Sequence, residues 1–160
     1  MGVSVVCPGS FDPITLGHLD VFERAARRFD HVVIAVLGNP SKQGLFPIER
    51  RMELIESETT HLDNIEVARF EGLLVDFCAQ RGITVVCKGL RGVGDFEYEQ
   101  QMAQMNRQIG DVETVFLSTS PAHGHLSSSL VKEVARAGGR LDGCVPPGVE
   151  RALRRHFDQA

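Results

Sequence analysis

The chain has 160 residues, 42% hydrophobic and 24% charged, a balance that builds a sizeable core without disulfide or metal staples. Its formal net charge of −4 argues against a general nucleic-acid binder, which carries a basic stripe, but leaves room for a local basic pocket. The start holds no positively charged leader, and no stretch reaches the ~18 apolar residues of a membrane span, so the expectation is one cytoplasmic domain over residues 1–160 with no nucleic-acid or membrane partner.

The β-branched run Val3-Ser4-Val5-Val6 predicts a buried strand. A crossover follows, Cys7-Pro8-Gly9-Ser10-Phe11-Asp12-Pro13-Ile14-Thr15-Leu16-Gly17-His18, and then a helix whose Phe22, Ala25, Ala26 and Phe29 share one face. Ligands of α/β sheets bind at the carboxyl ends of strands, where this crossover lies. Gly9 lets backbone approach a ligand, and Ser10 sets a hydroxyl beside it. Thr15 suits the N-cap, which puts His18 in the first turn, where free N–H groups and the helix dipole attract anions.

A second strand spans His31–Leu37. In the polar loop after it, Lys42 is placed to meet a phosphate as a point charge. The next helix covers Ile48–Glu58, with Ile48, Met52 and Ile55 inward and Arg50, Arg51, Glu53 and Glu56 on a solvated face. Asn64–Ala68 is a third strand, and a helix opening at Gly72 ends at the C-cap Gly82. The fourth strand, Ile83–Cys87, leads into Lys88-Gly89-Leu90-Arg91-Gly92, either a turn with surface charges or a second phosphate clamp.

The helix Asp95–Ile109 aligns Tyr98, Met102, Met105 and Ile109 on one face, as core or as a subunit contact, with Glu99 one step round towards the loops. A fifth strand, Glu113–Leu117, precedes the irregular 118–126 stretch. Ser127, Ser128 and Ser129 head a helix through Ala137, as an N-cap or an anion cradle. A last helix begins at Pro146-Pro147 and carries Val149, Leu153 and Phe157 on one face. Cys7, Cys78, Cys87 and Cys144 form no C-x-x-C pair or zinc spacing and read as buried small hydrophobes, a catalytic thiolate being the minor alternative.

Strands alternate with helices throughout. The predicted fold is therefore α/β: a doubly wound, Rossmann-like sheet of five parallel strands with helices on both faces. Neither G-x-G-x-x-G nor the Walker motif is present, so phosphate must be bound another way.

Three separated stretches carry a resemblance: Gly9–Pro13 with Thr15-Leu16-Gly17-His18, then Lys88–Arg91, then Ser127–Glu133. Together they resemble the nucleotidyltransferase superfamily with T-x-G-H and I-S-S-[ST] motifs. Within it, Pro8–Thr15, Gly94–Glu99 and Met102–Asn106 are similar to the signatures of the bacterial phosphopantetheine adenylyltransferase family, and the likeness covers nearly the whole chain.

The resemblance implies adenylyl transfer from ATP to 4′-phosphopantetheine with Mg²⁺ as cofactor, a homohexamer, and feedback binding of coenzyme A. It implies phosphopantetheine contacts from Ser10, Lys42, Leu74 and Lys88, and ATP contacts from Ser10, Phe11, His18, Gly89, Leu90, Arg91, Glu99 and the loop His123, Gly124, His125, Leu126, Ser127, Ser128 and Ser129. His18 would stabilise the transition state, with Ser10, Lys42 and Arg91 also at the reacting phosphates, and the metal would be held through ATP rather than by side chains.

The loop departs from the family, which carries an aromatic, then Ser-Phe and a β-branched residue, where this chain has His123-Gly124-His125-Leu126. That pair of histidines reads as a nucleotide wall or as part of a metal site. Ser10 stands where threonine is common and Lys88 where arginine is common; the lysine keeps a donor but loses bidentate geometry. A nicotinate or nicotinamide mononucleotide adenylyltransferase, a cytidylyltransferase and an ATP-sensing module without turnover are the rival functions.

Overall fold

Valine- and isoleucine-rich runs, bounded by turn residues, become the strands of one sheet, and the amphipathic stretches between them become its covering helices. A computed structural model describes residues 2–38 and 43–158, so Lys42 lies outside the described residues. In chain order the elements are β1 (Ser4–Gly9), α1 (Leu16–Ala26), β2 (His31–Leu37), α2 (Ile48–Glu58), β3 (Ile65–Phe70), α3 (Leu74–Arg81), β4 (Val85–Leu90), α4 (Val93–Gly110), β5 (Glu113–Ser118), a single 3₁₀ turn at Pro121–His123, α5 (Ser128–Arg136) and α6 (Pro147–Asp158).

All pairings are parallel, in the order β3-β2-β1-β4-β5. The chain therefore builds outward from β1 on one side, then returns to build outward on the other. This reversal leaves a crevice beyond the carboxyl ends of β1 and β4. Side chains alternate across the sheet. Val5 and Cys7 of β1 and Ile34 of β2 enter the apolar cluster shared with Phe22, Leu54, Val131 and Leu153 of α1, α2, α5 and α6. Val6 and Val33 enter the opposite cluster, with Val75, Phe77 and Cys78 of α3. Helices thus cover both faces.

Three expectations change. β1 and β4 run on to Gly9 and Leu90, beyond the β-branched runs that predicted them, because ladder pairing uses backbone groups: Gly9 pairs with Val36 and Leu90 with Ser118. Lys88, Gly89 and Leu90 are consequently strand residues rather than a turn. Arg51 is not on the solvated face. Its side chain is buried and its Nη1 donates to the carbonyls of Ser10, 2.7 Å, and Leu37, 3.2 Å, tying the ends of β1 and β2 together. Residues 48, 51 and 55 share a helix face, so the apolar periodicity already pointed Arg51 inward. Finally, Tyr98, Met102, Met105 and Ile109 are exposed on α4 and do not belong to the core of this chain.

Replacing Arg51 with methionine keeps the apolar stem but orphans two strand-end carbonyls. We expect it to cost about 1–3 kcal/mol, read as a lower urea midpoint with an unchanged slope.

Candidate active site

At the end of β1 the chain bends back sharply. Phe11 sits at φ 47°, in the left-handed region, and its ring lies over Gly9, where a Cβ would come within 2.8 Å of Phe11 Cζ. Glycine is required there by the close approach. The buried Phe11 ring then meets His18 edge-on, with centroids 5.1 Å apart, and Phe22 at 5.2 Å. Phe11 is thus a wall that steadies the His18 ring.

Thr15 caps α1 as its sequence predicts, and the cap is reciprocal. The His18 amide donates to Thr15 Oγ1 at 3.4 Å, while the Thr15 backbone N–H donates to His18 Nδ1 at 3.0 Å. An Nδ1 that accepts cannot carry the proton, so the neutral ring is protonated at Nε2 and presents that N–H as a donor. Removal from water, reinforced by the Arg91 and Lys88 cations, pushes the His18 pKa from an ordinary 6.5 down to about 4. The ring is therefore neutral at physiological pH.

Both cations come from the end of β4, and both are met by carboxylates one turn apart on α4. Lys88 Nζ lies 3.2 Å from Glu99 Oε1. Arg91 forks onto Asp95, Nε to Oδ2 at 2.9 Å and Nη2 to Oδ1 at 3.2 Å, and its Nη1 donates to the Leu126 carbonyl at 2.8 Å. Arg91 thereby joins the end of β4 to the loop before α5. At the head of α5, Ser127 accepts from the Leu130 amide as N-cap, and Ser128 donates to the Pro13 carbonyl at 2.8 Å, leaving Ser129 exposed at the crevice.

These residues frame two adjoining cavities. The first, of about 330 Å³, is lined by Ser10, His18, Lys88, Arg91, Glu99 and Ser129, among others. The second, of about 430 Å³, is walled by apolar side chains including Leu37, Phe70, Leu74 and Met102. Pro8, Gly9, Ser10, Lys88 and Glu99 line both, so the two cavities meet at the ends of β1 and β4. Phe11, Gly89, Leu126, Ser127 and Ser128 also line the first cavity, with Cys7 and Cys87 at its floor.

His123, Gly124 and His125 are set back from it: the 3₁₀ turn places His123 beside Gly17 and leaves His125 exposed. Leu90 also stands outside that lining. Among the described residues no group of three or more His, Cys, Asp or Glu side chains is arranged to hold a metal, so the histidine pair forms no such site with a third ligand.

Two further residues escaped the sequence reading. Asp12 is 7% exposed, and its carboxylate accepts from the amides of Leu45, 2.7 Å, and Phe46, 2.9 Å, with Lys132 Nζ of α5 at 3.4 Å. It ties the crossover to Leu45 and Phe46, just ahead of α2, and to α5. Asp12 stood inside the Gly9–Pro13 motif, but nothing local indicated which backbone it would hold. Asp95 stood at the start of the predicted helix and inside the Gly94–Glu99 stretch, with no role assigned to it.

Residues 6–134 match the cytidylyltransferase-like family. The phosphopantetheine adenylyltransferase of Symbiobacterium thermophilum is 54% identical over 156 residues, spanning 97% of this chain and 96% of that protein. This chain belongs to the phosphopantetheine adenylyltransferase family. It is a nucleotidyltransferase, an enzyme of the cytidylyltransferase-like superfamily. A crystal structure of a Vibrio parahaemolyticus protein, provisionally named a nicotinate-nucleotide adenylyltransferase, shares its fold, with a TM-score of 0.73 across 100% of this chain and 98% of that one at 15% identity.

For this family member the position of His18 has a measurable consequence. In the ligand-free protein, NMR of the ring protons should titrate with a midpoint of about 4, not 6.5. The depressed pKa means that the unfolded chain binds the proton first, so His18 withdraws stability as pH falls from 6.5 towards 4 and withdraws none above that window.

Proposed function

We propose that this enzyme transfers the adenylyl group of ATP to 4′-phosphopantetheine, giving dephospho-coenzyme A and pyrophosphate, a step of coenzyme A biosynthesis. The observation that carries this reading is the junction of a polar and an apolar cavity at Ser10, Lys88 and Glu99, with His18 in the polar one. The named relative acts on the same kind of substrate, and a phosphate on an apolar arm matches that junction.

In this mechanism the nucleotide occupies the polar cavity, and the pantetheine arm lies along Leu74 in the apolar one. A phosphate oxygen of the acceptor attacks the α-phosphorus in line. The new P–O bond forms as the bond to the β-phosphate bridge breaks, and pyrophosphate leaves with the electron pair. No protein nucleophile is needed, so catalysis is positioning plus stabilisation of charge on the non-bridging oxygens.

His18 Nε2–H donates to such an oxygen. Ser10, Lys42 and Lys88 hold the incoming phosphate, and Arg91 with Ser129 holds the departing pyrophosphate. Phe11, Gly89 and Glu99 shape the nucleotide side, and Leu90, outside the lining, serves as the strand end that carries Arg91. Leu126, Ser127 and Ser128 bound it at the loop, with His123, Gly124 and His125 as the outer part of that strap. Arg91 and Lys88 begin paired with Asp95 and Glu99, so phosphates compete with those carboxylates on entry.

Magnesium is proposed to arrive with ATP, held by phosphate oxygens and water. The two carboxylates lining the polar cavity already face Arg91 and Lys88, and no cage of side chains exists among the described residues, so no residue is assigned as a ligand. Coenzyme A shares the pantetheine arm and would compete for the apolar cavity as a feedback ligand. The exposed apolar face of α4 suits burial against another copy in a homohexamer. Among the described residues no helix is long and apolar enough to cross a membrane, which fits the proposed cytoplasmic setting.

Pyrophosphate release from MgATP should require 4′-phosphopantetheine and should not occur with nicotinamide mononucleotide. Release with the mononucleotide would move the enzyme to a sister activity, and ATP binding without any release would make it a sensor. His18→Ala should lower kcat by about 10²–10³ with little change in ATP affinity, since its donor acts on developing charge. Leu74→Ala and Lys42→Ala should each raise the KM for phosphopantetheine, by about tenfold, while ATP binding holds.

A further inference from the structure

The floor of the polar cavity carries two thiols that the displacement mechanism does not use. Cys7 of β1 and Cys87 of β4 directly follow Val6 and Val86, which are register partners in the parallel ladder, so the cysteines are neighbours across the sheet. Both belong to the apolar cluster on the α1 face and therefore leave the sheet in the same direction. Each is 2% exposed, and each lines the cavity that also holds Ser10, His18 and Arg91. Cys78 lies in the cluster across the sheet and Cys144 does not line this cavity.

The two thiols also act on each other. The neighbouring thiol, with burial, raises the pKa of Cys7, while Cys7 lowers that of Cys87 against the opposing effect of burial, with the Arg24 cation adding to the lowering. Of the two, Cys87 is the thiol that gives up its proton more readily to form the thiolate, the reactive form. Neighbouring strands lie about 4.8 Å apart, inside the roughly 4.4–6.8 Å between Cα atoms that a disulfide spans.

We propose that Cys7 and Cys87 form a two-thiol modification site on the floor of the nucleotide cavity, which a hydroperoxide oxidises to a disulfide that stops turnover. The Cys87 thiolate attacks one peroxide oxygen, the O–O bond breaks, and sulfenic acid and hydroxide form. Cys7 sulfur then attacks the sulfenic sulfur; the S–S bond forms, the S–O bond breaks, and the oxygen leaves as water with the Cys7 proton. Two electrons pass from the thiol pair to the peroxide. Hydrogen peroxide is small enough for a floor this enclosed, whereas a bulky disulfide reagent is not.

The bridge acts on the site through the backbone. Ser10 lies three residues beyond Cys7, and Lys88 immediately follows Cys87. Gly89 leaves little slack, since a Cβ there would lie 2.9 Å from Val21 Cγ2. The bridge imposes its own Cβ–S–S–Cβ geometry on two adjacent strands, and the backbone adjusting to it beneath the cavity moves Ser10 and Lys88, where the two cavities meet. A bound nucleotide covers the floor and slows the reaction.

The test is peroxide treatment of the full chain, quenching with an alkylating agent, and peptide mapping by mass spectrometry beside an activity assay. The expected result is a Cys7–Cys87 cross-link lighter by two hydrogens, lost activity restored by dithiothreitol, and several-fold slower cross-linking in MgATP. Cys87→Val should keep after peroxide whatever activity it had before. A cross-link through Cys78 or Cys144, oxygen added at Cys7 or Cys87 without a bridge, or no modification overturns the site, and full turnover by the bridged enzyme overturns its inhibitory role. The mapping needs no variant, so it stands even if Cys87→Val fails to fold. The activity readout rests on the function proposed above and the cross-link does not: absence of transfer before oxidation would defeat that function while the mass readout still decides the site.

Discussion

The site exists because β1 pairs with β4. Once the first half of the sheet has grown away from β1 through β2 to β3, the chain must return across the sheet to the free edge of β1, and the helices on either side of that reversal part company. Into this one gap the structure brings the capped start of α1, the two cations at the end of β4 and the serines at the head of α5. Residues as far apart in sequence as Ser10, Lys88 and Ser129 become neighbours through that pairing.

Charge in the gap is arranged in pairs. The chain is net negative, yet the cavity concentrates Lys88 and Arg91 beside His18. α4 supplies the counter-charge through Asp95 and Glu99, which keep two cations stable in a partly enclosed space. Burial, reinforced by those cations, keeps the imidazole neutral. The cap from Thr15 decides which ring nitrogen carries the proton, so the neutral ring becomes a directed donor.

Around this centre, buried polar residues hold backbone rather than ligand. Arg51 gathers the carbonyls at the ends of β1 and β2, while Asp12 gathers two amides and the Lys132 ammonium. Each satisfies groups that the sheet and helices leave open, which is why such polar side chains are tolerated in the interior. They fix the loops that carry the functional side chains. Removing one would act on the site through geometry.

Much was legible in the linear order of residues. Val5, Val6, Val32 to Val36 and Val86 announced buried parallel strands, Thr15 and Gly82 marked helix ends, and Thr15-Leu16-Gly17-His18, Lys88–Arg91 and the three serines stood out as the stretches whose His18, Lys88, Arg91 and Ser129 line one cavity. These signals are local: periodicity, capping and glycine placement act within a few residues. Tertiary structure decided what distance along the chain conceals. It set the strand order, the strand-end carbonyls that Arg51 meets, the exposure of the α4 methionines, the retreat of His123 and His125 from the cavity, and the meeting of Cys7 with Cys87. Each of these depends on which element packs beside which, and that is fixed by burial and backbone pairing across the whole sheet, not by any stretch of sequence alone.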